Sequence, residues 1–232
     1  MSLEILKEKV MALEMGRISR QVLPLDIATI DQALQGGLDL GAIHEFTGPA
    51  ASMFAQLIVQ RRGGTTFWLS LEQTGLDYYP AALAQYGGVP EKFLALYLPN
   101  NAAILNAAYE ILASGAAGCV LLDLKNPLNQ TQARKLQLAA QATSALGLVI
   151  NSAHNALSGE GPGLVSSAVT RWHVCVNAWS TDKTRLSLGL TKNRRGRPHH
   201  WIVEIDHATH HLHLASLAGE RAADPRRTGI GA

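Results

Sequence analysis

The chain has 232 residues, of which 47% are hydrophobic and 16% are charged, so it can bury a sizeable core. Its formal net charge of +2 is too small to indicate nucleic-acid binding by itself. The two cysteines, Cys119 and Cys175, lie in apolar runs, which favours reduced core residues over a disulfide. The chain begins with a charged segment and contains no apolar run long enough to span a bilayer, so we expect a cytoplasmic protein without a membrane partner.

The first predicted element is an amphipathic helix within residues 1–22. Leu3, Leu6, Val10 and Leu13 recur at intervals of three and four residues, which places them on one face of a helix. This apolar stripe either packs on the chain's own core or docks on a partner protein or a second copy. We treat it as a candidate partner or oligomer surface.

Residues 23–218 are predicted to form one folded core. Apolar runs such as "TTFWLSL" and "GCVLLDL" alternate with helix-like runs such as "NAAILNAAYEILASG", which is typical of parallel strands covered on both faces. From Thr170 onwards the runs are strand-like and separated by short gaps. We therefore predict an α/β fold with a mainly parallel twisted sheet, helices on both faces and antiparallel C-terminal strands. Residues 219–232 are mostly small or polar and include Gly and Pro, so we expect a disordered tail.

The stretch "GAIHEFTGPAASMFAQ" has the setting of a phosphate-binding loop, with a strand, a Gly48-Pro49 turn and a helix-like run. A working loop has the pattern G-x-x-x-x-G-K-[ST]. Counted from Gly48, the second glycine is replaced by Met53, the lysine by Phe54 and the hydroxyl residue by Ala55. Without the lysine and the magnesium-binding hydroxyl we expect neither ATP hydrolysis nor a bound cofactor, and we predict no catalytic residue.

Two acidic residues lie where a sheet of this kind binds its ligands, at the carboxyl ends of strands. Glu72 follows "FWLSL" and Asp123 lies near the end of "CVLLDL", where one carboxylate could activate water and another could bind magnesium. An acid at a strand end is also common as a solvated or helix-capping group. We predict a degenerate nucleotide site made up of Gly48, Pro49, Ser52, Phe54, Glu72 and Asp123.

The stretch "TKNRRGRPHHW" is the most basic part of the chain. Lys192, Arg194, Arg195 and Arg197 are predicted to lie in a turn between two strands. Several arginines on one turn suit the recognition of phosphate or carboxylate groups, so we predict that these residues bind DNA or an acidic partner surface. A solvated hairpin is the plain alternative.

Six of the nine histidines fall between His199 and His213. They show no ligand spacing such as H-E-x-x-H, and strand alternation would place neighbouring histidines on opposite faces. We therefore predict no metal site and interpret this segment as a polar hairpin.

The order of these features resembles the core of the RecA recombinase from about Leu23 to Ala153. By this resemblance Glu72 corresponds to the catalytic glutamate of RecA and Asp123 to its magnesium-side aspartate. The lysine and threonine that RecA needs for ATP are replaced here by Phe54 and Ala55.

Four stretches are together similar to the ImuA family, which comprises RecA-related accessory proteins of bacterial mutagenic DNA repair. They are "LPLDIATIDQALQGGLDLGAIHEF", "ARKLQLAAQAT", "TRWHV" and "RRGRPHHWIVEID". This resemblance implies a non-catalytic adaptor in translesion DNA synthesis under the SOS response to DNA damage. It implies as partners an ImuB-like Y-family polymerase homologue and a specialised C-family DNA polymerase, with RecA and single-stranded DNA as further candidates. The alternatives are a SulA-like inhibitor of cell division and a RecA-type DNA-dependent ATPase.

Overall fold

A computed structural model describes residues 21–72, 89–151, 167–209 and 211–217. The predicted N-terminal stripe of Leu3, Leu6, Val10 and Leu13 and the predicted tail from residue 219 lie outside the described residues. Within them, no helix is both long and apolar enough to cross a membrane.

Strands and helices alternate along most of the described chain. The strands are β1 (Val22–Leu23), β2 (Leu38–Asp39), β3 (Ala42–Thr47), β4 (Thr66–Leu71), β5 (Phe93–Leu98), β6 (Cys119–Leu124), β7 (Leu146–Asn151), β8 (Thr170–Trp179), β9 (Lys183–Asn193), β10 (His199–Asp206) and β11 (Leu212–Leu217). The α-helices are α1 (Ala28–Ala33), α2 (Ala51–Arg62), α3 (Asn101–Ser114) and α4 (Gln130–Thr143), and a short 3₁₀ helix spans Pro90–Lys92.

Nine strands form one sheet in the order β11-β10-β9-β8-β3-β7-β6-β4-β5, while β1 and β2 form a small antiparallel pair. The six strands from β8 to β5 in this order are parallel. Strands β9, β10 and β11 extend the sheet by antiparallel pairing. The predicted mainly parallel sheet with antiparallel C-terminal strands is therefore confirmed.

Hydrophobic cores lie on both faces of the sheet. Helix α2 packs on one face, in a cluster that includes Phe46, Leu121 and Trp172. Helices α3 and α4 pack on the other face, in a cluster that includes Ile43 and Leu122. Because successive strand residues point to opposite faces, a strand covered on both sides must be apolar throughout, which explains the continuous apolar runs in the sequence.

Helices α3 and α4 begin after residues whose side chains cap them. The Asn100 side chain accepts a hydrogen bond from the N–H of Ala103 at the start of α3. At the start of α4, Asn129 and Gln132 each accept a hydrogen bond from the other's backbone N–H. Side chains at these positions satisfy N–H groups that have no acceptor within the helix.

Candidate functional site

The connection between β3 and α2 is too short to surround a phosphate group. Only Gly48, Pro49 and Ala50 separate the two elements, and α2 begins at Ala51. In an intact loop the second glycine comes five positions after the first, and the loop runs at least that far. Here the positions from Ala51 to Met53, whose backbone would line the phosphates, are already helical.

Gly48 is required by packing against a neighbouring strand. Its φ is +93°, in the region that favours glycine. A Cβ atom at this position would lie 2.3 Å from the carbonyl oxygen of Val174 in β8. The N–H of Ala50 donates to the same oxygen at 3.1 Å. The turn is thus pressed onto β8, and this contact explains the glycine without reference to a phosphate.

Phe54, at the position of the loop lysine, lies in the hydrophobic core. It is 1% exposed. The centre of its ring lies 6.0 Å from that of Phe46 and 5.9 Å from that of Trp172. Ala55, at the hydroxyl position, is also buried. Ser52 is partly buried within α2, and Pro49 is exposed.

The two predicted carboxylates lie at the same edge of the sheet as the short loop, because β3, β4 and β6 run in parallel. Glu72 is exposed in the turn after β4, and its N–H donates to the carbonyl of Leu98. Asp123 is the last residue but one of β6, where it is buried opposite Ile150 of β7. Both carboxylates therefore lie at the carboxyl ends of parallel strands, although Asp123 lies inside its strand and does not follow it.

The basic turn lies at the opposite edge of the sheet from the short loop. Strand β8 is parallel to β3, with Thr170 opposite His44. Strand β9 is antiparallel to β8, so its last residue, Asn193, lies opposite Thr170 at the amino ends of the parallel strands. Arg194, Arg195 and Arg197 follow β9 at this edge, whereas Lys192 lies within β9 itself.

Arg195 is held by the fold. Its Nε donates to Oδ2 of Asp39 at 2.7 Å, and the Asp39 side chain is only 7% exposed. The carbonyl of Arg195 accepts a hydrogen bond from the side chain of Gln35 at 2.9 Å. A carboxylate buried to this extent needs a cationic or hydrogen-bonding neighbour, so Arg195 anchors the turn to β2.

A series of buried hydrogen bonds continues from Asp39 into the core. His44 Nε2 donates to the carbonyl of Asp39 at 3.0 Å, and His44 Nδ1 lies 2.7 Å from the hydroxyl of Thr170. That hydroxyl accepts from the indole N–H of Trp172 at 2.9 Å, so its own proton is directed to His44. Burial lowers the pKa of His44, consistent with a neutral imidazole.

Arg171 joins the basic residues near the turn, and sequence reasoning missed it. It lies opposite Lys192 in the β8–β9 pair, and its Nε donates to Glu45 at 2.8 Å. The pKa of Lys192 is lowered, first by burial and then by the nearby charges of Arg171 and Arg194. An arginine in an otherwise alternating apolar strand was the available signal.

The histidine-rich segment provides no metal centre in the part of the chain that the structure describes. No group of three His, Cys, Asp or Glu residues there is arranged to hold a metal ion. His207 instead contacts the hydroxyl of Thr184 at 2.8 Å and the carbonyl of Thr181 at 3.0 Å.

Comparison with known proteins supports the resemblances found in the sequence. No protein-family model matches the chain. Protein ImuA from two strains of Caulobacter vibrioides is 25% identical to it over 209 residues, which cover 81% of this chain and 84% of that protein. The chain resembles Protein ImuA. The predicted resemblance to the ImuA family is thereby confirmed.

The fold also matches a recombinase. The crystal structure of the RadB recombinase superposes with a TM-score of 0.58 and 15% identity, covering 80% of this chain and 97% of that one. Identity this low is informative about the fold alone. The chain therefore has a RecA-like fold, as the sequence predicted.

Proposed function

We propose that this chain is a RecA-like accessory protein of mutagenic translesion DNA synthesis that does not hydrolyse ATP. The absence of ATP hydrolysis is supported by the start of α2 at Ala51, which leaves a connection of three residues after β3. It is supported equally by Phe54, which lies in α2 and is buried in the core. The similarity to Protein ImuA and the RecA-like fold support the accessory role.

The residues that ATP hydrolysis requires in this class of fold are replaced at the loop. Phosphoryl transfer in this class of fold depends on a loop that surrounds the phosphates, a lysine that neutralises them and a hydroxyl that binds magnesium. Here the loop is short, and Phe54 and Ala55 are buried where the lysine and the hydroxyl residue would be. On this proposal, Glu72 and Asp123 are remnants of an ancestral nucleotide site.

The adaptor role requires contacts with other proteins. We assign as partners an ImuB-like Y-family polymerase homologue and a specialised C-family polymerase, with RecA as a further candidate, in the SOS response. The surface that we assign to these contacts is the N-terminal stripe of Leu3, Leu6, Val10 and Leu13, while the basic turn is assigned to DNA or to an acidic partner surface.

Two assays test the proposal. A fluorescent ATP analogue with magnesium is titrated into the purified protein, and phosphate release is measured with and without single-stranded DNA, with an intact RecA recombinase as the positive control. We expect neither binding nor turnover, and turnover would refute the non-catalytic assignment.

Co-purification with the two polymerase partners tests the adaptor role. We expect both to be retained by the wild-type chain and lost from the double variant Leu6→Asp, Val10→Asp. Absence of any partner, together with filamentation of cells that overproduce the chain, would favour a SulA-like inhibitor instead.

A further inference from the structure

The antiparallel part of the sheet has one apolar and one polar face. On the face covered by α2, the side chains of β8, β9 and β10 are buried hydrophobic groups such as Leu186, Leu188 and Val203. The residues between them point the other way and are partly or fully exposed. We call this second surface the open face and define it by His173, Cys175, Arg185, Ser187, Gly189 and His200.

Gly189 lies at the centre of the open face, in register with His173 on one side and His200 on the other. A Cβ atom at Gly189 would meet the nearest atoms of these two residues at 3.6–3.9 Å, which are ordinary contacts. The fold therefore tolerates a side chain here. A glycine in the interior of a strand often marks a place where a ligand approaches the backbone closely, and this one leaves a shallow gap between two imidazole side chains.

Polar groups line both sides of this gap. The hydroxyl of Ser187 lies 2.6 Å from Nε2 of His200, and Sγ of Cys175 lies 3.2 Å from Nε2 of His173. Around the gap, Ile202 is the one large aliphatic side chain among the outward-pointing residues described on β9 and β10, and it is partly buried. The exposed hydrophobic residues of β8, Val176 and Trp179, lie towards the end of that strand. The core of a protein–protein interface is more apolar than this.

Positive charge is concentrated on these strands. Residues 170–206 contain seven Lys and Arg against three Asp and Glu, although the whole chain carries a net charge of only +2. At one end of the open face, Lys183 and Arg185 both contact Glu204, at 2.7 and 2.9 Å, and Asp206 lies opposite Lys183, so two anions balance these two cations and the excess of positive charge lies elsewhere. At the other end, about 26 Å away along β9, the strand runs into the basic turn with Arg194 and Arg197.

We propose that the open face binds single-stranded DNA along β9. Phosphates contact the cationic groups of the basic turn, and a base lies over Gly189 against the rings of His173 and His200. Phosphate contacts supply most of the affinity in such complexes, and histidine is one of the rings on which unpaired bases stack. The inference deepens the proposed function and rests on it only for the choice of DNA over RNA.

The sharpest test is Gly189→Val, measured by fluorescence anisotropy with a labelled oligothymidylate. The branched side chain fits the strand but fills the gap. We therefore expect the Kd to rise at least tenfold while the melting temperature stays unchanged. Wild-type affinity in a folded Gly189→Val protein would overturn the proposed path of the strand.

Charge variants provide an independent readout. We expect Arg194→Ala and Arg197→Ala each to reduce the slope of log affinity against log salt by about one unit. Arg134→Ala is the matched control, because Arg134 is an exposed arginine on α4, and it should leave the slope unchanged. Equal slopes in all four proteins would contradict the proposal.

Cys175 allows the occupied surface to be located. Cys119 is buried whereas Cys175 is partly exposed, so a thiol reagent reacts with Cys175 on the open face. Burial raises the pKa of the Cys175 thiol, so labelling is best followed at mildly alkaline pH. We expect the oligothymidylate to slow the reaction.

Three outcomes would overturn the proposal: absence of DNA binding at low salt, binding that leaves Cys175 labelling unchanged, and protection of Cys175 by a polymerase partner but not by DNA. The first two of these results depend neither on ATP turnover nor on co-purification. A failure of the open face can therefore be distinguished from a failure of the accessory function.

Discussion

Replacing Phe54 with lysine restores the residue type that a phosphate-binding loop requires, yet we expect it to destabilise the protein without creating a nucleotide site. The Phe54 side chain is buried against Phe46 and Trp172. Truncating a buried Phe to Ala typically costs about 3–5 kcal/mol, and a lysine adds the cost of desolvating an ammonium group. The loss is a large part of the roughly 5–15 kcal/mol by which native domains are stable.

Urea unfolding followed by tryptophan fluorescence measures this loss, because Trp172 lies beside the substituted residue. With a denaturant dependence of about 2 kcal/mol per molar urea, the midpoint should fall by about 2 M. Phe54→Leu is the control, because it keeps the site apolar and should cost less. A Phe54→Lys protein that unfolds near the wild-type midpoint and binds the ATP analogue would refute the placement of Phe54 in the core.

Two further predictions concern Arg195 and the series of buried hydrogen bonds that begins at Asp39. Arg195→Ala should lower the free energy of unfolding by about 1–2 kcal/mol, because it removes the ion pair between the buried Asp39 carboxylate and Arg195, which is 42% exposed. Arg197→Ala should cost less than about 0.5 kcal/mol. Equal losses in urea titrations of the two variants would contradict the anchoring role. Burial lowers the pKa of His44, so below about pH 6.5 the unfolded chain binds a proton at this residue that the folded chain does not. Stability should therefore fall as the pH is lowered from about 6.5, by up to about 1.4 kcal/mol per pH unit from this group; His44→Phe should remove that share, and parallel pH profiles of the two proteins would refute it.

The sequence predicted most of the secondary structure because its local patterns are strong. Continuous apolar runs such as that from Cys119 to Leu124 have few alternatives to a buried strand. The lost loop chemistry was equally visible, since Phe54 and Ala55 occupy the lysine and hydroxyl positions. The short connection that follows Gly48 was not visible, because the start of α2 at Ala51 depends on packing against β8.

The contacts of the basic turn could not be predicted from its local sequence. Its composition suggested four equivalent contact residues, but Lys192 belongs to β9 and Arg195 is bound to Asp39, which lies 156 positions away in the sequence. Such a partner depends on strand order and register, which a single sequence does not specify. For the same reason, the sequence did not predict the buried hydrogen bonds that link Asp39, His44, Thr170 and Trp172.

The sequence by itself determined the α/β class, the ImuA and RecA resemblances and the absence of the residues that bind ATP. Each of these properties depends on residue types within a short segment of the chain. Only the tertiary structure decided that the basic turn and the degenerate nucleotide site lie at opposite edges of the sheet. It also brought Gly189 between His173 and His200. The physical reason is that these positions follow from the pairing of strands that are distant in sequence, and burial of the apolar side chains of the sheet selects that pairing.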